Sequence, residues 1–149
     1  MIFGIGAMKD FFKYLIDDYD CRSTEKDVLG RNQTLYFNDF LEIKIGPYFP
    51  RDPVEVYLKM KQTEYQFTPY TLALHYDSKR FRKWLISKQY FNLEEILNHN
   101  AQSLKNYGSA ILCGDKKAWF EIDQVHRKFC KKRIYVEFFD LLYSKIVYL

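Results

Sequence analysis

The sequence predicts a single α+β domain over residues 1–149, with an antiparallel sheet packed by N-terminal, central and C-terminal helices. Three observations predict this class. Apolar residues recur every three or four positions near the start and in the second half of the chain, they alternate every two positions mid-chain, and a Gly-Asp turn near position 114 indicates a further hairpin. The length of 149 residues suits one domain, and no repeat or Gly/Ser-rich linker divides it.

The first half of the chain predicts one helix followed by strands. The helix covers residues 8–19, where apolar side chains share one face. Four strands are predicted after it, at 34–37, 40–45, 54–61 and 71–76. Within them, Tyr36 lies on the opposite side from Leu35 and Phe37, and Tyr57 on the opposite side from its apolar neighbours.

The second half predicts helices, interrupted by a hairpin. Asp77-Ser78 caps a helix that extends to about residue 90, and Asn92 begins another that Gly108 closes. Residues 110–113 and 116–122 flank Gly114-Asp115, a two-residue hairpin signal, so we expect a C-terminal hairpin there. Residues 123–149 carry mixed signals, and we expect mostly helix.

Composition sets limits on the class of protein. With 48% hydrophobic and 28% charged residues, the chain is typical of a folded domain rather than a disordered one. Three cysteines do not make a disulfide framework, and no apolar stretch is long enough for a signal peptide or a membrane span. These features predict a cytoplasmic protein that does not enter a membrane.

The aromatic content is the unusual feature, because 13 Tyr, 13 Phe and 2 Trp make up 19% of the chain. Tyrosine has a polar tip and favours positions where one end stays in water, including binding surfaces. Tyr36 and Tyr57 are therefore candidate partner-binding residues, provided that their faces of the sheet are open.

A basic cluster supplies the other candidate partner-binding residues. Lys79, Arg80, Arg82 and Lys83 lie in the first turns of a predicted helix, where the helix dipole disfavours positive charge. This placement favours an anionic partner, either an acidic protein surface or phosphates. The basic residues at 127–133 lie near a predicted helix end, where the dipole favours them.

The sequence signals for metal and catalytic sites are weaker than those for partner binding. His126 and Cys130 are four residues apart on a predicted helix, but a closed zinc site needs further ligands, and we expect no metal or cofactor. Glu42 and Lys44 on one strand are similar to the acid and lysine of PD-(D/E)xK nucleases, with Asp20 or Asp27 as the second acid. Any amphipathic strand can produce that pattern.

The segment 98–127 reads NHNAQSLKNYGSAILCGDKKAWFEIDQVHR, in which a helix with a Leu-x-x-Tyr-like end leads into Ile-Leu-x-Gly-Asp and a terminal helix. It resembles uncharacterised small bacterial α+β proteins, some of which are intracellular immunity proteins for polymorphic or contact-dependent toxins. The resemblance implies the fold and the lifestyle of such proteins, and it assigns no functional residue.

The leading functional hypothesis is a non-catalytic protein-binding module, of an immunity type or another inhibitor that occludes a partner protein. The alternative is a nucleic-acid-binding protein that uses the basic clusters and exposed aromatic residues. A metal-dependent nuclease is the third. The sequence leaves the oligomeric state open.

Overall fold

The computed structural model describes residues 10–28, 31–46, 56–87 and 93–147. In chain order the elements are helix α1 (Lys13–Tyr19), strands β1 (Arg22–Val28), β2 (Arg31–Phe37), β3 (Leu41–Ile45), β4 (Val56–Met60) and β5 (Gln66–Phe67), and helices α2 (Pro69–Tyr76), α3 (Ser78–Ser87), α4 (Leu93–Tyr107), α5 (Ser109–Leu112) and α6 (Lys116–Val147). The predicted α+β class is confirmed.

The five strands form one antiparallel sheet in the order β1-β2-β3-β4-β5. Because side chains alternate between the faces of a sheet, the register separates a covered face from an open one. The covered face consists of side chains that are 2% exposed or less: Tyr36, Leu41, Ile43, Ile45, Val56, Leu58 and Phe67. These residues and the apolar faces of the helices form one core cluster.

Aromatic contacts and buried hydrogen bonds attach the helices to the covered face. The ring of Phe12, just before α1, lies 6.0 Å from that of Tyr36. Trp119 on α6 packs against Phe67 with ring centroids 5.0 Å apart, and its indole N–H donates to the carbonyl oxygen of Ile111 at 2.7 Å. At the β5 edge, the buried carboxylate of Asp123 on α6 accepts the backbone N–H of Gln66.

The predicted C-terminal hairpin is wrong, because residues 109–112 and 116–122 belong to helices α5 and α6. Gly114 ends α5 with a φ of 80°, the left-handed conformation that commonly closes a helix. Asp115 then caps α6, since its Oδ1 accepts the backbone N–H groups of Lys117 and Ala118. A Gly-Asp pair suits a hairpin turn and also the junction between two helices, so the local sequence did not distinguish the two structures.

Two other predictions about strands need correction. The strand predicted at 71–76 lies within α2, where Pro69 occupies the first turn and Thr71, Leu72 and Ala73 are all buried. Pro in the first turn favours a helix, and three consecutive buried residues do not alternate. Strand β1 was not predicted, because its side chains from Arg22 to Asp27 are all exposed and show no apolar pattern.

Most of the remaining predicted elements are present. The first helix and the strands at 34–37, 40–45 and 54–61 correspond to α1, β2, β3 and β4, with differences at the ends. The two central helices are α3 and α4, and the last segment is helical as far as Val147. The parts of these predictions that fall on 8–9, 54–55, 88–92 and 148–149 lie outside the described residues.

Candidate functional site

The open face of the sheet is the broadest candidate surface. Pairing across the strands places two rows of side chains on it. The first row runs Thr24, Leu35, Lys44, Tyr57, and the second runs Arg22, Phe37, Glu42, Lys59, Gln66. We call these nine residues the open face. Six of them are exposed, whereas Leu35, Phe37 and Glu42 are half-buried.

Tyr57 lies on β4 at the end of the first row, and its side chain is 40% exposed. Lys44 faces it directly across the β3–β4 pair, and Lys59 follows two residues later on the same side of the strand. A shallow groove of about 380 Å³ lies here, lined by Tyr57, the two lysines, Glu42 and Gln66. The tyrosine ring is therefore accessible beside two ammonium groups.

Positive charge dominates this side of the sheet. Beyond Lys44 and Lys59, Arg22 lies in the second row, and Lys61 places its Nζ 5.6 Å from the centroid of the Phe37 ring. Glu42 is the one carboxylate among the nine residues of the open face. The nine residues of the open face include three cations and one acid, a balance that attracts an anionic partner, and the attraction weakens as salt rises.

Helices α3 and α4 form a second candidate site, the α3–α4 pocket, of about 330 Å³. Its apolar wall is the ring pair of Trp84 and His99, which stack with centroids 4.5 Å apart and planes 18° apart. Tyr70 stacks behind Trp84 at 5.9 Å and holds that ring in place. Arg80 and Lys83 line the α3 side of the pocket, one helical turn apart.

His99 is neutral over the physiological pH range. Burial lowers the pKa of His99 to about 4, and the nearby charge of Arg80 acts in the same direction. Both of its ring nitrogens are buried and have no hydrogen-bond partner among the described residues. The imidazole therefore contributes carbon atoms and an uncharged ring to the pocket wall.

The predicted partner-binding residues do not form one surface. Tyr36 is 1% exposed on the covered face, so the expectation that it contacts a partner is wrong, and it serves the core instead. Tyr57 lies on the open face, whereas Arg80 and Lys83 line the α3–α4 pocket.

The other two residues of the predicted basic cluster, Lys79 and Arg82, are exposed on α3 outside the α3–α4 pocket. No acidic residue occupies the first turn of this helix. The basic cluster is thus exposed, but its members are divided between a pocket and a solvent-facing surface.

Sequence reasoning missed Trp84 and His99, because their pairing requires α3 to pack beside α4. It also left out Lys59, although the alternation of β4 already placed this side chain beside Tyr57. That alternation was the available signal.

Asp27, one of the two candidates for the second nuclease acid, is not brought to Glu42. Asp27 pairs with Asn32 at one end of β2, whereas Glu42 pairs with Phe37 at the other end, about 17 Å away along the strand. Within the described ranges, no group of three or more His, Cys, Asp or Glu side chains could hold a metal ion.

His126 links α6 to α2 rather than to a set of metal ligands. Its Nδ1 lies 3.0 Å from Oγ1 of the buried Thr71, and its Nε2 lies 3.5 Å from the thiol of Cys130. Burial lowers the pKa of His126, against a smaller opposing effect of Asp123. This chain of contacts fastens two packed helices.

Comparisons with known proteins add no assignment. No protein-family model matches the sequence, and no curated protein or solved structure is detectably similar to it. Over the part of the chain that is described, no helix combines the length and apolar character needed to cross a membrane. The two surfaces are therefore interpreted from their own geometry.

Proposed function

We propose that the protein is a non-catalytic binding module whose open face binds single-stranded nucleic acid. The observation that carries the proposal is the exposed ring of Tyr57 between Lys44 and Lys59 on a basic sheet. Aromatic rings on a sheet stack on unpaired bases, while neighbouring cations bind the phosphates.

Each part of the open face has a role in this proposal. Tyr57 supplies the stacking platform, and the lysines beside it contact phosphates on either side of the stacked base. Arg22 on β1 and Lys61, which lies over the Phe37 ring of β2, extend the positive surface beyond Lys44 and Lys59. A strand of nucleic acid that crosses the sheet meets Lys44 and Lys59 beside Tyr57 and Arg22 on β1.

The position of the lysines favours nucleic acid over a protein partner at this face. The centres of protein–protein interfaces are depleted in Lys, whose strongly hydrated ammonium is costly to bury. Here two lysines lie directly beside the exposed aromatic ring that would contact the partner. Phosphate groups can neutralise them while they stay partly in water.

A protein partner is the second candidate, and the exposed cluster on α3 favours it. Lys79 and Arg82 are exposed on a helix whose first turn has no acid, so they fit an acidic protein surface. The immunity-type role implied by the resemblance stays a prediction.

Fluorescence anisotropy with labelled single-stranded oligonucleotides tests the proposal. We expect binding to weaken about 50-fold between roughly 50 and 200 mM salt if four phosphates are neutralised. Tyr57→Ala should lower affinity about 5- to 100-fold through lost stacking, whereas Tyr57→Phe should retain most of it.

Charge reversals locate the interface. Lys44→Glu should weaken binding strongly, whereas Lys79→Glu, the same change of charge on α3, should have a small effect. Absence of oligonucleotide binding at low salt would refute the proposal. Equal losses in the two variants would also refute it, because they would show general attraction to a cationic protein rather than a site on the sheet.

A further inference from the structure

The α3–α4 pocket lies on the helical side of the molecule and has no role in the proposed function. Its parts differ from those of the open face: a rigid pair of stacked rings, cations on one wall, and polar side chains on the other. Such a combination of an apolar wall with a few polar groups is typical of small-ligand sites.

The aromatic wall is preorganised. Trp84 and His99 stack nearly in parallel, and Tyr70 stacks on Trp84 with its plane only 20° away. Phe81 contacts both Tyr70, at 6.1 Å, and Trp84, at 6.3 Å, so the three rings form one cluster that supports the wall. A planar ligand placed against this wall loses little affinity to rearrangement of the protein.

The polar side chains on the two sides of the pocket differ in charge and in hydrogen-bonding groups. Arg80 is exposed on the α3 side, where its guanidinium suits a phosphate through paired hydrogen bonds, and Lys83 lines the same side. From α4 the pocket receives Asn98 and Glu95, which offer an amide and hydrogen-bond acceptors. The α3 side therefore favours an anionic group of a ligand, and the α4 side favours a polar edge that carries hydrogen-bond donors.

We propose that the α3–α4 pocket binds a nucleoside monophosphate, with the base against the edges of the stacked Trp84 and His99 rings and the phosphate at Arg80. The amino group of a base such as adenine meets Glu95 and Asn98, and the phosphate meets the guanidinium. The volume of about 330 Å³ lies at the lower end of the range for ligand pockets, which suits a single nucleotide rather than a dinucleotide.

Tryptophan fluorescence provides a direct probe, because the chain has two tryptophans in different environments. Trp119 is fully buried and hydrogen-bonded to Ile111, so it reports little on the surface. We expect adenosine monophosphate to quench the emission of Trp84 saturably, with a Kd below about 1 mM. The quenching should disappear in Trp84→Phe.

A matched pair of variants tests the phosphate contact. Arg80→Gln should raise the Kd about 10- to 100-fold, the range expected for a lost hydrogen bond to a charged group. Arg82→Gln removes the same charge from the same helix outside the pocket and should leave the Kd within about twofold. Adenosine without phosphate should bind the wild type weakly and should not distinguish the two variants.

Several outcomes would overturn the inference. These are the absence of saturable quenching, equal effects of the two arginine variants, and inorganic phosphate competing as well as the nucleotide does. Lys44→Glu separates this site from the proposed function, since it should strongly weaken oligonucleotide binding and leave nucleotide binding unchanged. If the oligonucleotide fails to bind the wild type while the nucleotide binds, only the proposed function is wrong.

Discussion

Acid should destabilise this protein through His99, and the effect can be isolated by one substitution. The side chain is stacked on Trp84, and both its ring nitrogens are buried. Protonation would place a positive charge in that environment, near Arg80. The unfolded chain therefore binds the proton more readily than the folded one, and stability must fall as the pH falls.

The size of the effect follows from the two pKa values. His99 has a pKa of about 4 in the folded protein against 6.5 for an ordinary histidine. Its contribution is complete above pH 6.5, is lost as the pH falls toward 4, and amounts in total to at most about 3 kcal/mol, because solvent around the half-buried ring screens part of the charge. Between about pH 7 and pH 4.5 the loss is about 2 kcal/mol, or roughly 5–10 °C in Tm for a domain of this size.

The assay compares urea unfolding of the wild type and His99→Phe at the two pH values. Phenylalanine keeps a flat ring against Trp84 and cannot be protonated. The burial of His126 also lowers its pKa, so both proteins lose some stability in acid, and the difference between their losses isolates His99. We expect the variant to lose about 2 kcal/mol less than the wild type.

An equal acid loss in both proteins would refute the reasoning, because it would mean that water reaches the imidazole nitrogens in the folded state. A variant that loses more stability in acid than the wild type would contradict the sign. Near-UV circular dichroism at pH 7 checks that the substitution leaves the tertiary packing intact.

Two stability predictions test the helix pair that replaced the expected hairpin. Asp115→Ala removes the cap of α6 and should lower the free energy of unfolding by about 1 kcal/mol, with an unchanged urea m-value and with Asp115→Asn as the conservative control. Gly114→Ala should cost at least about 1 kcal/mol, because φ is 80° and a Cβ would lie 2.9 Å from the Phe40 ring. A neutral result for either would contradict the described turn.

The local sequence pattern predicted much of this fold, because burying one face of a helix or strand requires apolar residues at a regular spacing. In β4, apolar Val56 and Leu58 alternate with Tyr57, and the alternation correctly placed the tyrosine on the open side. The same physics explains why β1 was missed, since an exposed edge strand buries no face and needs no alternation. β1 shows no alternation of apolar residues because it has no buried face to produce one.

The Gly114-Asp115 turn shows a different limit. Glycine in a left-handed conformation followed by a capping acid satisfies two structures equally well, a hairpin and a junction between helices. What decides between them is Trp119, whose burial against Phe67 places α6 beside the sheet. That contact joins residues more than fifty positions apart and leaves no trace in the local sequence.

The candidate sites divide in the same way. The sequence by itself determined the class of fold and the open side of β4. It did not determine which side of β2 is covered, because Leu35, Tyr36 and Phe37 are all largely apolar and only helix packing selects between the faces. The α3–α4 pocket likewise exists only in the tertiary structure, since Trp84 and His99 become neighbours when two separate helices pack together.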